Sequence, residues 1–344
     1  MTSDYPDPEP IEDIPEPYED LLPNVPQRTV AVQNWNVTVS DAKFHWYDLV
    51  AGFPAVPDIR DPVGRYLRRM QFDLEATMEK RLLYLVVSRP LVRFDTNRSP
   101  SWGFFSLKLT VPLLVGAEQK RDSVTLELEV PFAATMKKPV VTVQDRFLIL
   151  NWGGLVEAMS IHDVLQHHDH GLKYVSRVHY VGQTKDTSGR LAKGRLTALQ
   201  KIQQNNSEHS DTLLLVQRLN FEIDSAQGDP ALLPANQNAV AADILLKDRM
   251  DLVECAVIKY FEGDVMRGRK DHELAVRRAR MVEVQAANNV NDVNIDLTSP
   301  ESEGDRYYDL MSDYVPVSRS HRMRCHLING EIALTILPPE RKGS

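Results

Sequence analysis

Between residues 173 and 201 the chain sets seven bases (Lys173, Arg177, Lys185, Arg190, Lys193, Arg195 and Lys201) against one acid, Asp186, a local charge of +6. Such a patch attracts polyanions by releasing their counterions. Within it Tyr180-Val181-Gly182 closes a strand-like run, and Arg190 follows eight residues past the glycine on a helix-compatible stretch. Further on, MDLVECAVIKYF (250–261) reads as an amphipathic helix with Glu254 in its first turns. These residue types suit phosphodiester hydrolysis. That reaction needs a base for the water, positive charge against the charge developing on phosphorus, and help for the leaving alkoxide. A glutamate can hold a Mg²⁺ ion that keeps several waters. An arginine fork matches phosphate geometry and stays charged, and a tyrosine hydroxyl beside a cation can position or deprotonate water. Each type also has a plainer use: a packed strand aromatic, an exposed helix cation, a glutamate paired with a neighbouring cation.

A second cluster is formed by His162, His167, His168 and His170 with Asp169. The residue types suit a transition metal, but the spacing matches no zinc motif, and neighbours in sequence point in different directions on a helix. A polar helix end, with imidazoles facing the last carbonyls, is the simpler expectation.

The order of residues in the first cluster resembles the GIY-YIG nuclease domain over residues of about 170–265. YVGQT (Tyr180–Thr184) looks like the family's second tyrosine motif. Arg190 stands at the arginine of the next helix, and VECAVIKYF is similar to the glutamate helix through Glu254, Ile258 and Phe261. The resemblance implies a small α/β module with a three-stranded antiparallel sheet flanked by helices, and a metal-dependent endonuclease acting on DNA. It would make Glu254 the ligand of one Mg²⁺ or Mn²⁺ ion, Arg190 the phosphate clamp, and Tyr174 and Tyr180 the pair that positions water. Lys185, Lys193, Arg195 and Lys201 would then line the nucleic-acid path. The chain departs from the pattern in three places. Leu172-Lys173-Tyr174, the nearest stand-in for the first motif, lies only six residues before Tyr180, so the first strand must come from elsewhere, with RFLILNW the candidate. Gly194 replaces a histidine or tyrosine, and Val265 and Met266 occupy the place of an asparagine. A nucleic-acid-binding module that has lost its chemistry, or a structural or assembly protein, are the rival readings.

Around this cluster the chain divides by pattern into an α+β fold. Residues 1–28 form an acidic, proline-rich tail: positions 1–26 hold eight acids, no base and seven prolines. Too little apolar surface is available there to offset ordering entropy, so disorder is expected. This tail, or the β-rich domain that follows, would serve a protein partner. Residues 29–155 read as that β-rich domain. TVAVQNWNVTVS alternates apolar and polar, and LLYLVVSRPLVRF, FFSLKLTVPLLV, SVTLELEVPF and PVVTVQDRFLILNW follow as strands. One helix, VGRYLRRMQFDLEATMEKRLL, interrupts them. Residues 156–290 hold the GIY-YIG-like module: LVEAMSIHDVLQHH with helical spacing, a strand in LKYVSRVHYVG, helix 188–204, strand 211–223, and helices 240–261 and 270–287. Residues 291–344 complete the chain, with NNVNDVNIDLTSPESEGD as an exposed acidic connector and Asn329-Gly330 as the turn of a β-hairpin.

The net charge of −8 equals that of positions 1–26, leaving the rest close to neutral. No run approaches eighteen apolar residues, so no membrane span is expected. The chain has neither a basic leader with an apolar core nor a disulfide or zinc framework built on its two cysteines, Cys255 and Cys325. A cytoplasmic protein is the expectation.

Overall fold

Trp35, Val37 and Val39 are buried, and so are Ala42, Phe44 and Trp46. The buried set thus switches from odd to even positions within one strand, β1 (Gln33–Trp46). A β-bulge between Val39 and Asp41 makes the switch, inserting one residue against the neighbouring strand. An extra residue reverses the alternation of side chains. The bulge therefore keeps one apolar face along the whole strand, where an unbroken register would turn half of it to water.

The computed structural model describes residues 32–51, 57–78, 80–104, 106–168, 171–172, 174–184, 209–225, 239–263, 279–286, 289–299, 306–328 and 331–338. After β1 come helices α1 (Tyr47–Ala51) and α2 (Pro62–Met78), then strand β2 (Leu83–Pro90). Pro62 stands first in α2, where its missing N–H costs nothing, and Asp61 accepts a bond from the Gly64 amide at 3.0 Å. A lobe of short strands follows: β3 (Val92–Phe94), β4 (Ser101–Trp102), β5 (Lys108–Val115), β6 (Lys120–Glu127), β7 (Val140–Val143), β8 (Phe147–Asn151) and β9 (Val156–Ser160). Helix α3 (Ile161–His167) closes the lobe. The chain continues through β10 (Ser176–Gln183), β11 (Ser210–Ser225), helix α4 (Ala239–Glu262), β12 (Val290–Asp296), β13 (Leu310–Met311), β14 (Arg322–Ile328) and β15 (Glu331–Ile336).

Among the described residues these strands form three sheets. The largest has eight strands in the order β13-β10-β2-β11-β1-β12-β14-β15. It takes strands from residue 33 to residue 336, so it runs across the segments that sequence patterning separates at 155 and 290. The lobe between β2 and β10 carries the other two sheets, β3-β5-β4 with β6 on β5, and β7-β8-β9.

Two elements differ from their sequence pattern for visible reasons. Residues 290–296 are not a connector but a strand, β12, parallel to β1 and antiparallel to β14. Val293, Ile295 and Leu297 are buried while Asp292, Asn294 and Asp296 are not. Here asparagine and aspartate occupy the polar half of a period-two pattern rather than turns. Their side chains bond across strands: Asn294 donates to Asn36 Oδ1 at 2.9 Å and accepts from Arg324 Nε at 2.9 Å. VEAMS is likewise strand β9, and the helix starts only at Ile161. Ser160 and Asp163 form a reciprocal capping box there, each side chain taking the other's backbone amide.

The hairpin holds: β14 and β15 pair antiparallel up to Ile328 and Glu331, with Asn329-Gly330 outside the described residues. Helix α4 covers the expected 240–261. Leu252 through Ile258 are all buried, so this is an enclosed helix and not an amphipathic surface one. Cys255 and Cys325 are buried, and neither is in a disulfide. No helix among the described residues is long and apolar enough to cross a membrane.

Candidate functional site

Strand β10 carries YVGQT, and every residue of that motif meets a defined neighbour. The strand pairs antiparallel with β2, with Tyr180 opposite Val86 and Gly182 opposite Tyr84; β11 pairs with β2 on its other side. The Tyr84 ring stacks on Tyr180, centroids 6.0 Å apart at 29°. It lies across Gly182, where a Cβ would stand 2.6 Å from Tyr84 Cζ and Oη and 3.0 Å from Tyr180 Cε1. Gly182 belongs to the strand and is not among the glycines of positive φ. Its lack of a side chain makes room for two rings rather than permitting a turn. Thr184 fixes the end of β10 to the start of β2: its amide donates to Leu82 O at 2.9 Å, its hydroxyl accepts from Leu82 N at 2.8 Å and donates to Lys80 O.

On the helical side, Gln183 donates through Nε2 to Glu254 Oε2 at 3.1 Å and to Asp251 Oδ1. Asp251 and Glu254 stand three apart on α4 and so share a helix face. Glu262, two turns on, accepts the Val181 amide at 3.0 Å, on a strand that its short neighbour β13 covers only at Ser176 and Arg177. Glu254 is 4% exposed. The Gln183 Oε1 atom is buried and has no hydrogen-bond partner among the described residues. Alternation along β10 sends Tyr180 and Gly182 to one face of the sheet and Val181 and Gln183 to the other. Glu254 therefore reaches the strand from the face opposite the tyrosine stack, and the two faces adjoin only at the strand's end, at Gln183 and Thr184.

Tyr174 does not provide the stacked partner. It is 1% exposed, donates its hydroxyl to Pro90 O at 3.2 Å and packs 5.5 Å from the Arg89 guanidinium. Burial pushes its phenol well above the usual value. The ring that stacks on Tyr180 is that of Tyr84. RFLILNW does not supply the missing strand either: it forms β8, in the β7-β8-β9 sheet of the lobe. The strand between β10 and β11 is β2. Arg190, Lys185, Lys193, Arg195 and Lys201 lie outside the described residues. Tyr84, Gln183 and Asp251 are thus contacts that the sequence reading did not assign. The one signal for Tyr84 was LLYLVV, a strand pattern that carries a tyrosine.

The histidine cluster separates. His162 points inward and is 4% exposed, whereas His167 is exposed and places Nδ1 2.8 Å from Asp163 O. His170 and Asp169 are outside the described residues, among which no group of three or more histidine, cysteine or acidic side chains could hold a metal. His162 Nε2 instead bonds Asp211 Oδ2 at 3.0 Å, and Arg93 grips both oxygens of Asp211 at 2.8 Å. Burial would raise the Asp211 carboxyl, but the His162 and Arg93 bonds and charges outweigh it and draw it down to about 2. This ion pair joins β3 and α3 of the lobe to β11 of the main sheet.

Compared with protein-family models, curated proteins and solved structures, the chain finds no match to any of them. The functional reading therefore rests on the geometry around β10.

Proposed function

We propose that the protein is a metal-dependent endonuclease of GIY-YIG type, hydrolysing phosphodiester bonds in DNA. In this reading the catalytic sheet is β10-β2-β11, interrupted between its first two strands by the β3–β9 lobe. One observation carries it: Tyr84 and Tyr180 stack across Gly182, and the very next residue, Gln183, hydrogen-bonds Glu254. Two strand tyrosines, a glycine and a helix glutamate then stand in the order the resemblance requires, with Tyr84 as the first tyrosine.

The donors at Gln183 fit a hard cation. Asp251 and Glu254 both hold the Gln183 Nε2 N–H, and an ion taking its place there would meet two carboxylate oxygens. Mg²⁺ or Mn²⁺ takes one or two carboxylates and completes its shell with water and phosphate oxygens. When bound, such an ion would polarise a phosphoryl oxygen. The chain's own groups would do the rest: Tyr180 and Tyr84 orient the water, Arg190 grips the phosphate, and Lys185, Lys193, Arg195 and Lys201 carry the strand. The phosphate would sit at the end of β10, where the tyrosine face and the Glu254 face adjoin.

That placement also favours a second reading, a nucleic-acid-binding protein that has lost its chemistry, because Glu254 and the tyrosine stack approach β10 from opposite faces. A plasmid-nicking assay with Mg²⁺ and with Mn²⁺, wild type beside Glu254→Ala, separates the two. Nicking by the wild type that vanishes in the variant supports the nuclease. Salt-sensitive DNA binding with no nicking under either metal leaves the binding protein.

A further inference from the structure

A cavity of about 440 Å³ opens between β1, α2 and the β9–α3 junction. None of its lining residues belongs to the Gln183–Glu254 site. Its walls are mainly apolar, with the rings of Trp46 and Tyr66 among them. Two lining histidines are unsatisfied: His45 Nε2 and His162 Nδ1 are both buried and without a hydrogen-bond partner among the described residues. Buried ring nitrogens are rarely left so.

Their chemistry can be specified. Asp211 is ionised and can only accept, so His162 turns an N–H at Nε2 toward it and leaves Nδ1 as the ring nitrogen without a partner among the described residues. Burial, aided by Lys43, takes the His45 pKa down to about 4, so that ring is neutral at pH 7. The carboxylates of the cavity are already engaged: Asp163 takes the Ser160 amide and hydroxyl, each at 2.9 Å, and Asp73 is paired with Lys43. Arg69 lines the cavity and is exposed, its guanidinium 5.9 Å from the centre of the Tyr66 ring. Flat apolar walls, two inward imidazoles and a cation at the rim suit a phosphorylated heterocycle.

We propose that this cavity binds one nucleoside monophosphate unit, its heterocycle and sugar bonded to His45 and His162 and its phosphate to Arg69. The unit could arrive as a free mononucleotide or as the 5′ end of a strand; only the second source leans on the nuclease reading.

Titration calorimetry of the full chain tests it, with AMP, UMP and a 5′-phosphorylated tetranucleotide as probes and ribose 5-phosphate and inorganic phosphate as controls. AMP or UMP is expected to bind with Kd below ~1 mM, and Arg69→Ala to weaken it about tenfold through the lost charged hydrogen bonds. His45→Phe, which fills the same space without a nitrogen, is expected to weaken it similarly. A tetranucleotide tighter than AMP assigns the strand end as the source, and a weaker one assigns the free nucleotide. No heat from either mononucleotide up to about 5 mM would overturn the proposal. So would affinities no better than inorganic phosphate, or affinities unchanged in both variants, since the cavity would then hold only water. Because binding is read as heat and nicking as cleaved plasmid, the two readings fail separately.

Discussion

Gly182 lies directly opposite Tyr84 in the β2–β10 ladder, and the tyrosine ring fills the volume that any side chain at 182 would need. Gly182→Ala should therefore force the ring aside and destabilise the protein by about 1–3 kcal/mol, as overpacking does. Combining it with Tyr84→Ala should cost less than the sum of the single changes, because the clash disappears. Urea midpoints for the four proteins, at constant slope, check this. Additive costs would remove the steric account of the glycine.

Glu254→Gln keeps a hydrogen-bonding oxygen toward Gln183 and removes the charge. The expected stability change is within about 1 kcal/mol, while Mg²⁺- or Mn²⁺-dependent nicking should fall below detection. Tyr84→Phe and Tyr180→Phe remove hydroxyls alone and should slow nicking by roughly 10²–10⁴-fold. Tyr174→Phe should leave nicking near wild type, since its hydroxyl is spent on Pro90 O. Single-turnover rates with each variant separate these outcomes.

Asp211 makes stability depend on acid. Its folded pKa of about 2 lies below the 3.8 of a free carboxyl. A depressed carboxyl contributes stability that is complete above the unfolded value and is lost as pH falls from about 4 to about 2. The loss should be on the order of 2 kcal/mol. Asp211→Asn should flatten this stretch of the curve while lowering stability throughout, by about 3–5 kcal/mol, because Arg93 loses its buried partner. Denaturant titrations from pH 2 to pH 6 give both quantities.

His45 and His321 act higher on the pH scale. Burial takes both from 6.5 to about 4. The His321 ring is held on both nitrogens, by Tyr260 Oη at 3.2 Å and Ser318 O at 2.8 Å. A base with a lowered folded pKa stabilises fully above its unfolded value, and that stability drains as pH drops from 6.5 toward 4. Each should contribute on the order of 3 kcal/mol. His321→Gln should reduce the slope of stability against pH in that window and leave the Asp211 stretch below pH 4 unchanged.

Local patterns carried much of the architecture. The YVGQT strand, the enclosed helix around Glu254 and the terminal hairpin each follow from period, composition or turn chemistry within a dozen residues. Their partners did not. Tyr84 and Tyr180 meet only because β2 and β10 pair across an inserted lobe, and long-range pairing leaves no mark on either strand. Tyr174 looked like the partner because it is near in sequence, yet it stands before β10 begins and turns into a buried cluster with Arg89. Strand β12 was hidden by its asparagines and aspartates, which read as turns until β1 and β14 stand beside them. The bonds of Gln183 and Asp251 had no signal beyond their types.

The bulged strand β1 also constrains how the protein can be made. Among the described strands it is the first to leave the ribosome, but its neighbours β11 and β12 emerge only after residues 210 and 290. Until then Trp35, Val37 and Val39 have nothing to cover them, and the strand is an open template for other chains. Folding must be largely post-translational and, with pairings this distant, slow. A chain interrupted before residue 290 would keep β1 as a bare apolar edge, a substrate for chaperones and proteases rather than a smaller folded protein.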